Sequence, residues 1–403
     1  MDALRHPRWW QHEPALDRVV RDLVAAELAA ARPGRSLPAP GAWPLGLDLA
    51  ADLGADSLDL MGAATALGDL LGFARAGMDD ALLARTRLSD WIAAARASLA
   101  IDDGALTFRT SGSSGAPKRC SHALAHLWRE VEALARLLPG RGRVLSAVPA
   151  HHIYGFLFTV LLPQAGAAPL PVIELRASSP AALLAMLAPG DLVVATPDFW
   201  KQVAALAPAF PADVGGVSSG APCADAIADA LAAGGLRLLQ VYGSSETAGV
   251  GWRDQAAAPY RLFPYWRRGA QDGTIERDGT GFTLQDRLAW IDDTRFVPGG
   301  RIDQAVQVGA INVYPAYVAE VLAMHPGVRE CVVRPMRADE GARLKAFVVA
   351  GEGIDPSRLR DELAGWIAER LTPPERPAAF SFGPALPRGP GGKLADWIID
   401  AWE

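Results

Sequence analysis

Nine consecutive residues, Thr110-Ser111-Gly112-Ser113-Ser114-Gly115-Ala116-Pro117-Lys118, combine the groups that hold an anion. Glycines let backbone N–H groups turn toward a negative charge, hydroxyls add donors, and the lysine supplies a positive charge. A triphosphate fits this chemistry. The nucleotide loop Gly-x4-Gly-Lys-[Ser/Thr] does not match, because Gly112 and Gly115 stand too close and no lysine follows a glycine. A glycine- and serine-rich surface loop is the structural alternative for such a string. Other residues with chemical potential are His152, Glu246 and Lys393, each among small or aromatic neighbours. Taken singly, such a histidine is more often packed, and such a glutamate or lysine more often solvated. Cys120, Cys223 and Cys331 offer neither a disulfide framework nor zinc spacing.

The elements that must position these residues fall into three textures. Leu16, Val19, Val20, Leu23, Val24 and Leu28 recur at helical spacing after Pro14, which suits a first helical turn. A proline- and glycine-rich loop runs from Pro33 to Gly46. Asp56 then caps a second amphipathic helix marked by Leu60, Ala64, Leu67 and Leu71. Leu82, Leu83, Leu88, Trp91, Ile92 and Leu99 complete a helical unit of roughly four helices. From Ala105 onward, short apolar runs such as Val144–Val148, Leu192–Ala195 and Leu238–Val241 alternate with helical patterns, as in a layered α/β domain. Near Gly299 the texture changes again. Helices around Ala316–Met324 and Pro356–Leu371, with apolar runs at Cys331–Val333, Ala346–Ala350 and Ala378–Phe382, predict a small α+β domain.

Composition excludes several classes. Half of the 403 residues are hydrophobic and 21% are charged, which rules out wholesale disorder and leaves room for two or three cores. The formal net charge of −6 argues against nucleic-acid binding, which needs a basic surface to displace counterions. The longest apolar stretch, Phe156–Ile173, is broken by Pro163, Gly166, Pro169 and Pro171, so no integral membrane segment is expected. The N-terminus lacks the apolar core of a secretory signal, and a cytoplasmic location is expected.

The Thr110–Lys118 string resembles the phosphate loop of the adenylate-forming superfamily, which includes acyl- and aryl-CoA ligases. Further motifs follow in the family's order. Pro149-Ala150-His151-His152-Ile153-Tyr154-Gly155 looks like the motif bordering the acyl pocket, which implicates His152, Tyr154 and Phe156. Ser218-Ser219-Gly220-Ala221-Pro222 is similar to the segment that packs on adenine, with Ser219 at a usual glycine. Tyr242-Gly243-Ser244-Ser245-Glu246-Thr247 matches the motif whose tyrosine stacks on adenine and whose glutamate helps hold magnesium. Asp286 stands where the ribose-binding aspartate is expected, although Leu284-Gln285 replaces the usual Thr-Gly. Gly300-Arg301-Ile302-Asp303 resembles the hinge motif, with Asp303 as the pivot. Leu386-Pro387-Arg388-Gly389-Pro390-Gly391-Gly392-Lys393 looks like the loop bearing the catalytic lysine. The resemblance runs from about Ala105 to the C-terminus. Val308-Gly309-Ala310 departs from it, with alanine where many relatives keep a glycine beside the thiol arm.

Relatives also usually carry a hundred or more additional residues before the phosphate loop. Here a helical unit occupies that space. Its Asp52-Leu53-Gly54-Ala55-Asp56-Ser57-Leu58-Asp59-Leu60 resembles the prosthetic-group site of acyl carrier proteins, with Ser57 as the candidate for 4′-phosphopantetheine. A serine at a helix N-terminus is exposed to a dipole that suits a phosphodiester, but Asp-Ser-Leu is also an ordinary helix start. The resemblances together imply an all-α carrier-like domain over residues 1–100, a shortened α/β adenylation core over 101–300, and a mobile α+β lid over 301–403.

By resemblance, a carboxylate attacks the α-phosphorus of ATP, giving an acyl-adenylate and pyrophosphate, and a thiol then releases AMP. Charge on the polyphosphate calls for the Thr110–Lys118 loop, magnesium near Glu246, and Lys393. Asp286 and Arg301 face the ribose and phosphate, and the lid is expected to rotate about Asp303 between half-reactions. The run His152, Tyr154, Phe156 suits a small aromatic acid such as a hydroxybenzoate, or else ordinary core. The arrangement resembles the hydroxybenzoate:carrier-protein ligases of aryl-polyene and xanthomonadin-type pigment pathways, which predicts an acyl carrier protein, in trans or in cis, as the acceptor. Free CoA as acceptor, and a non-catalytic scaffold, are the alternatives.

Overall fold

The computed structural model describes residues 6–32, 36–82, 84–110, 118–271, 273–302, 305–309, 311–337, 339–388 and 394–399. The chain opens with α1 (Glu13–Ala31), α2 (Ser57–Leu71) and α3 (Leu88–Ile101). Pro14 lies in the first turn of α1. The Asp56 side chain accepts the N–H groups of Leu58 and Asp59, and Asp59 returns to the Asp56 N–H, a complete capping box for α2. Gly72, at φ 71°, ends that helix in the left-handed conformation that glycine tolerates. Among the described residues, three α-helices and short 3-10 turns therefore stand where roughly four helices were expected.

The layered region runs β1 (Ala105–Thr110), β2 (Lys118–Ala123), α4 (Leu124–Leu137), β3 (Arg143–Ser146), α5 (Ile153–Phe156), β4 (Val172–Glu174), α6 (Pro180–Met186), β5 (Asp191–Ala195), α7 (Pro197–Ala204), β6 (Gly215–Ser218), α8 (Asp225–Ala233), β7 (Arg237–Ser244), β8 (Ala248–Arg253) and β9 (Tyr260–Leu262). Short strands β10 (Arg267–Arg268), β11 (Thr274–Arg277), β12 (Thr280–Thr283), β13 (Asp286–Trp290) and β14 (Arg295–Arg301) follow. A nine-stranded sheet has the order β13-β14-β9-β8-β7-β6-β5-β3-β4. Strands β4, β3, β5, β6 and β7 are parallel, and β8 and β9 extend the sheet antiparallel. Parallel strands are covered on both faces, so β5 reads as an unbroken buried run, Asp191–Ala195.

The C-terminal part contains β15 (Val306–Val308), β16 (Ile311–Val313), α9 (Pro315–Ala323), β17 (Val328–Pro335), β18 (Leu344–Ala350), α10 (Pro356–Arg370) and β19 (Ala379–Phe382). Strands β17, β18 and β19 form a three-stranded sheet on which Val318, Leu322, Leu359, Leu363 and Ile367 pack.

Of the described residues, one compact unit holds 6–110, 118–284 and 288–299, and a second holds 285–287 and those from 300 onward. The N-terminal helices lie within the first unit. Trp9, Leu16, Val19, Leu67 and Trp91 share one core cluster with Phe108, Val144, Phe156, Val250 and Phe296. The carrier-like domain expected over residues 1–100 is not set apart here: α1, α2 and α3 pack on one another, α2 packs on β1, and their buried residues continue into the core of the layered region. The buried Asp22 on α1 ties the two together by accepting the Ala150 N–H at 2.7 Å and pairing with Arg176. No helix among the described residues is long and apolar enough to cross a membrane.

Candidate active site

Most of the candidate residues of the first unit collect at the carboxyl ends of parallel strands, where open α/β sheets bind ligands. His151 and His152 follow β3, Arg176 follows β4, Ala221 and Pro222 follow β6, and Tyr242 to Glu246 close β7. β1 and β2 pair antiparallel with Thr110 opposite Lys118, which brings together the two ends of the anion loop. Ser111, Gly112, Ser113, Ser114 and Gly115 themselves lie outside the described residues.

Lys118 and Glu246, 128 positions apart in sequence, meet with Nζ 2.7 Å from Oε1. Burial raises the Glu246 carboxyl, but the hydrogen bond and charge of Lys118, with hydrogen bonds from its own backbone N–H and Ser244, together hold the group below its usual range. An ionised, one-third-exposed carboxylate is the oxygen donor that magnesium takes alongside phosphate oxygens, so the residue fits the role expected of it. The turn is fixed from both sides. His122 on β2, 3% exposed, places Nε2 2.7 Å from the Ser245 carbonyl, and burial lowers its pKa. Thr247 donates to the Ala248 carbonyl, and its hydroxyl also meets that of Ser244 at 3.0 Å. Gly243 is required sterically, because a Cβ there would lie 2.1 Å from the Ala248 carbonyl oxygen.

Tyr242 stands edge-on to Tyr260 and Phe296, with ring centroids 5.9 and 5.4 Å away. Ser219, at the position where glycine is usual, donates to the Val241 carbonyl at 2.8 Å and so bridges β6 to β7. In the second unit, Asp286 and Arg301 lie 4.0 Å apart, so two residues separated by a strand hairpin form one charged pair. Asp303 and Lys393 lie outside the described residues. The residues flanking the lysine loop are defined: Arg388 and Leu394 form an antiparallel bridge, and Ala395 donates to the Pro387 carbonyl at 2.9 Å.

The aromatic run after β3 divides. Tyr154 donates to the Ala195 and Val217 carbonyls at 2.9 and 3.0 Å, anchoring the segment to β5 and β6. Phe156 is wholly buried, edge-on to Trp9 at 4.9 Å and Phe108 at 5.6 Å. It belongs to the core cluster. The structural reason is the helix that starts at Ile153, which turns position 156 inward. Gly155 lets the loop fold back, since a Cβ there would lie 1.9 Å from the Pro149 oxygen.

His151 and His152, with ring centroids 4.2 Å apart, border a cavity of about 400 Å³. Its apolar wall comes from Ala25, Ala29 and Leu37, and its polar wall includes Asp22 and Arg176. That volume is in the range of small-molecule sites. His152 keeps solvent access inside this recess. The surrounding protein and then the Arg176 guanidinium lower its pKa, which favours the neutral imidazole near pH 7. His151, Asp22, Arg176 and His122 were not singled out from sequence. The doubled histidine was a visible signal for His151; nothing local marks the other three.

Ser57 is exposed at the first turn of α2, immediately after its cap. Arg32 bonds Asp56 and Asp59 at 2.6 Å each and the Gly54 carbonyl at 2.9 Å. These contacts describe a well-anchored helix start.

Comparison with known proteins places this geometry in a family. Residues 60–267 match the AMP-binding enzyme family, and residues 317–393 match the AMP-binding enzyme C-terminal domain. The chain is 40% identical over 386 residues to a 4-coumarate–CoA ligase from Halorhodospira halophila, spanning 94% of this chain and 97% of that one. It is 41% identical over 396 residues to a 4-coumarate–CoA ligase from Rhodobacter capsulatus, spanning 94% of this chain and all of its relative. Among solved structures, the amide bond synthetase McbA from Marinactinospora thermotolerans shares the fold, with a TM-score of 0.62 at 22% identity over 73% of this chain and 68% of that one. The family match begins at Leu60, inside α2, and the full-length relatives share most of the N-terminal helices, so these matches do not set the first hundred residues apart as an added carrier domain. The chain belongs to the AMP-binding enzyme family, the adenylate-forming acid–thiol ligases that use ATP to activate a carboxylic acid as an acyl-adenylate.

Proposed function

We infer that this enzyme is an aryl-acid:CoA ligase acting on a small aromatic carboxylic acid of the hydroxycinnamate or hydroxybenzoate class. The observation that carries this reading is the end-to-end similarity, at 40 and 41% identity, to two proteins named 4-coumarate–CoA ligase. It favours CoA over a carrier-protein thiol as acceptor. The continuity of α1, α2 and α3 with the common core is consistent with the same choice.

In the first half-reaction the acid's carboxylate attacks the α-phosphorus of ATP and pyrophosphate leaves. Lys118 and the donors of the Thr110–Gly115 loop meet the negative polyphosphate, and Glu246 would hold magnesium, which supplies charge neutralisation when bound. Lys393 is assigned the negative charge that develops at the reacting phosphate. Tyr242, Gly243, Ser245, Ala221 and Pro222 take the adenine side, and the Asp286–Arg301 pair takes the ribose. In the second half-reaction the CoA sulfur attacks the acyl carbon and AMP leaves. A neutral His152 can donate a hydrogen bond to the acid's carboxylate from one ring nitrogen or accept one from the thiol on the other, and its lowered pKa favours that neutral form.

The test is magnesium-dependent ATP–pyrophosphate exchange across benzoates, cinnamates and fatty acids, followed by acceptor assays with CoA and with a phosphopantetheinylated carrier protein. Exchange driven by aromatic acids and thioester formed on CoA is the expected result. Fatty-acid exchange, or thioester formed only on the carrier, overturns it.

A further inference from the structure

Behind the turn that carries Glu246 lies a buried carboxylate that the reaction described above does not use. Glu130 is on α4, 1% exposed, in a helix face that also buries Leu127, Val131 and Leu134. Both of its oxygens accept the Gly249 N–H, at 3.0 Å each. The Gly249 carbonyl in turn accepts from the Tyr265 hydroxyl at 3.0 Å and the Trp266 indole at 2.8 Å. One residue of β8 is thus gripped at both polar groups by three buried side chains. Only glycine fits, because a Cβ would lie 2.3 Å from Glu130 Oε1.

The residue before it, Ala248, has φ 59°, a left-handed backbone that costs a non-glycine residue strain and persists where the surroundings impose it. The clamp supplies that constraint at the exit of the turn, as His122 does at Ser245. Among the described residues no ion pair involves Glu130. The titratable and charged groups that face it are Tyr265 and Arg277, with Arg129, His126 and Asp278 in the next layer. A carboxylate buried without a cation at hydrogen-bond distance costs stability, and a leucine there would simply continue the apolar face. Stability alone is therefore a poor reason for a glutamate at this position.

We propose that Glu130 is a positioning residue: through Gly249 it fixes the Ser244–Ala248 turn and so sets where the Glu246 carboxylate stands. The inference rests on reading Glu246 as the residue that holds magnesium. Burial pushes the Glu130 carboxyl up to about 7, against the opposing effects of the Gly249 N–H, Tyr265 and Arg277. Protonation turns one of the two accepting oxygens into an O–H and removes the charge that strengthens the bond from Gly249, so the clamp loosens as pH falls through neutrality.

The experiment follows magnesium-dependent ATP binding by calorimetry and acid-dependent pyrophosphate exchange in parallel, in the full chain, from pH 6 to 8.5. Glu130→Gln keeps the shape and removes the charge. At pH 8 it should raise the half-saturating magnesium concentration about five- to tenfold, with the acid's KM within about twofold of wild type. The wild-type rise in that magnesium requirement below pH 7, beyond what the titration of ATP itself gives, should disappear in Glu130→Gln. Tyr265→Phe, which leaves the carboxylate in place, should shift the requirement about two- to threefold in the same direction, and it carries the test if Glu130→Gln does not fold. Wild-type magnesium saturation and an unchanged pH profile in both variants would overturn the proposal, as would a loss spread equally over every constant. If wild type exchanges with no acid but binds magnesium–ATP, the reading of function fails while the binding arm still judges the clamp. If wild type binds no ATP, both fall.

Discussion

The two units each anchor a functional segment with a buried charge, and they treat that charge in opposite ways. In the larger unit, Glu130 stands behind the Glu246 turn with the Gly249 N–H as its donor and, among the described residues, no ion-pair partner. In the smaller unit, Lys345 on β18 is 0% exposed and stands behind the segment that follows the Lys393 loop. Its ammonium meets Glu340 at 2.7 Å, Asp396 at 3.1 Å and the Trp397 carbonyl at 2.5 Å. Burial would raise Glu340, yet Lys345 and the N–H groups of Arg337 and Ile399 hold it down to about 2. The carboxylate without a cation is left titrating near 7, whereas Glu340 stays ionised across the physiological range. A compensated charge makes a fixed anchor; an uncompensated one makes an adjustable anchor that costs stability when ionised.

The largest break in this comparison comes from removing what the second anchor serves. Lys393→Ala should depress pyrophosphate exchange by about two to four orders of magnitude while the melting temperature stays within about 1 °C of wild type. Near-normal exchange by that variant would strip Lys393 of its assigned role. Lys345→Met tests the anchor itself. Removing one partner of a buried ion pair leaves the other uncompensated and costs about 3–5 kcal/mol. Arg337, 2.6 Å from Glu340, remains to neutralise part of the charge, so the lower end is expected. The smaller unit should melt earlier, and exchange should fall about tenfold, less than in Lys393→Ala. An unchanged melt would show that the Lys345 pair contributes nothing net.

The contrasting test in the larger unit concerns pH. The Glu130 carboxyl is raised from an ordinary 4.5 to about 7, so the folded state binds the extra proton between those values. Its contribution to stability is fully present below pH 4.5 and is lost as pH rises through 7, by on the order of 3 kcal/mol. Wild type should therefore lose stability relative to Glu130→Gln between pH 5 and pH 8, read as the change in the difference between their denaturation midpoints. A difference that does not vary with pH would mean that the carboxylate is compensated after all. The pH at which the clamp grips best is the pH at which it costs most, a trade-off expected of a residue kept for function.

These anchors show which parts of the molecule sequence makes legible. The strands and helices of the α+β unit follow from apolar periodicity, and Asp56 from the chemistry of helix starts, because both are local. The Lys118–Glu246 pair was readable only through motif order, since nothing in either neighbourhood points 128 residues away. Glu130 did leave a trace: it interrupts the apolar face of α4 three residues after Leu127 and four before Leu134. A charge at that spacing marks a buried partner, but only the fold reveals that the partner is Gly249. The burial of Phe156 was not readable, because an aromatic residue close to a pocket residue is indistinguishable in sequence from one turned into the core. The N-terminal helices left a similar ambiguity, since an amphipathic helix records that one face is buried and not against what.

The smallest expected effect sharpens that last point. Ser57 is the first residue of α2, exposed, while Asp56 makes the cap and Arg32 ties Asp56 and Asp59 together. The serine hydroxyl takes no part in those contacts. Ser57→Ala should leave exchange, thioester formation on CoA and the melting temperature within error of wild type, because alanine is at least as good as serine in a first helical turn. Asp56→Ala, by contrast, should cost about 1 kcal/mol by removing the cap. Treatment of wild type with a phosphopantetheinyl transferase and CoA should add no mass. A gain of mass in wild type that Ser57→Ala abolishes would show that these helices join the common core and also carry an acyl arm, and it would return the carrier thiol to the choice of acceptor.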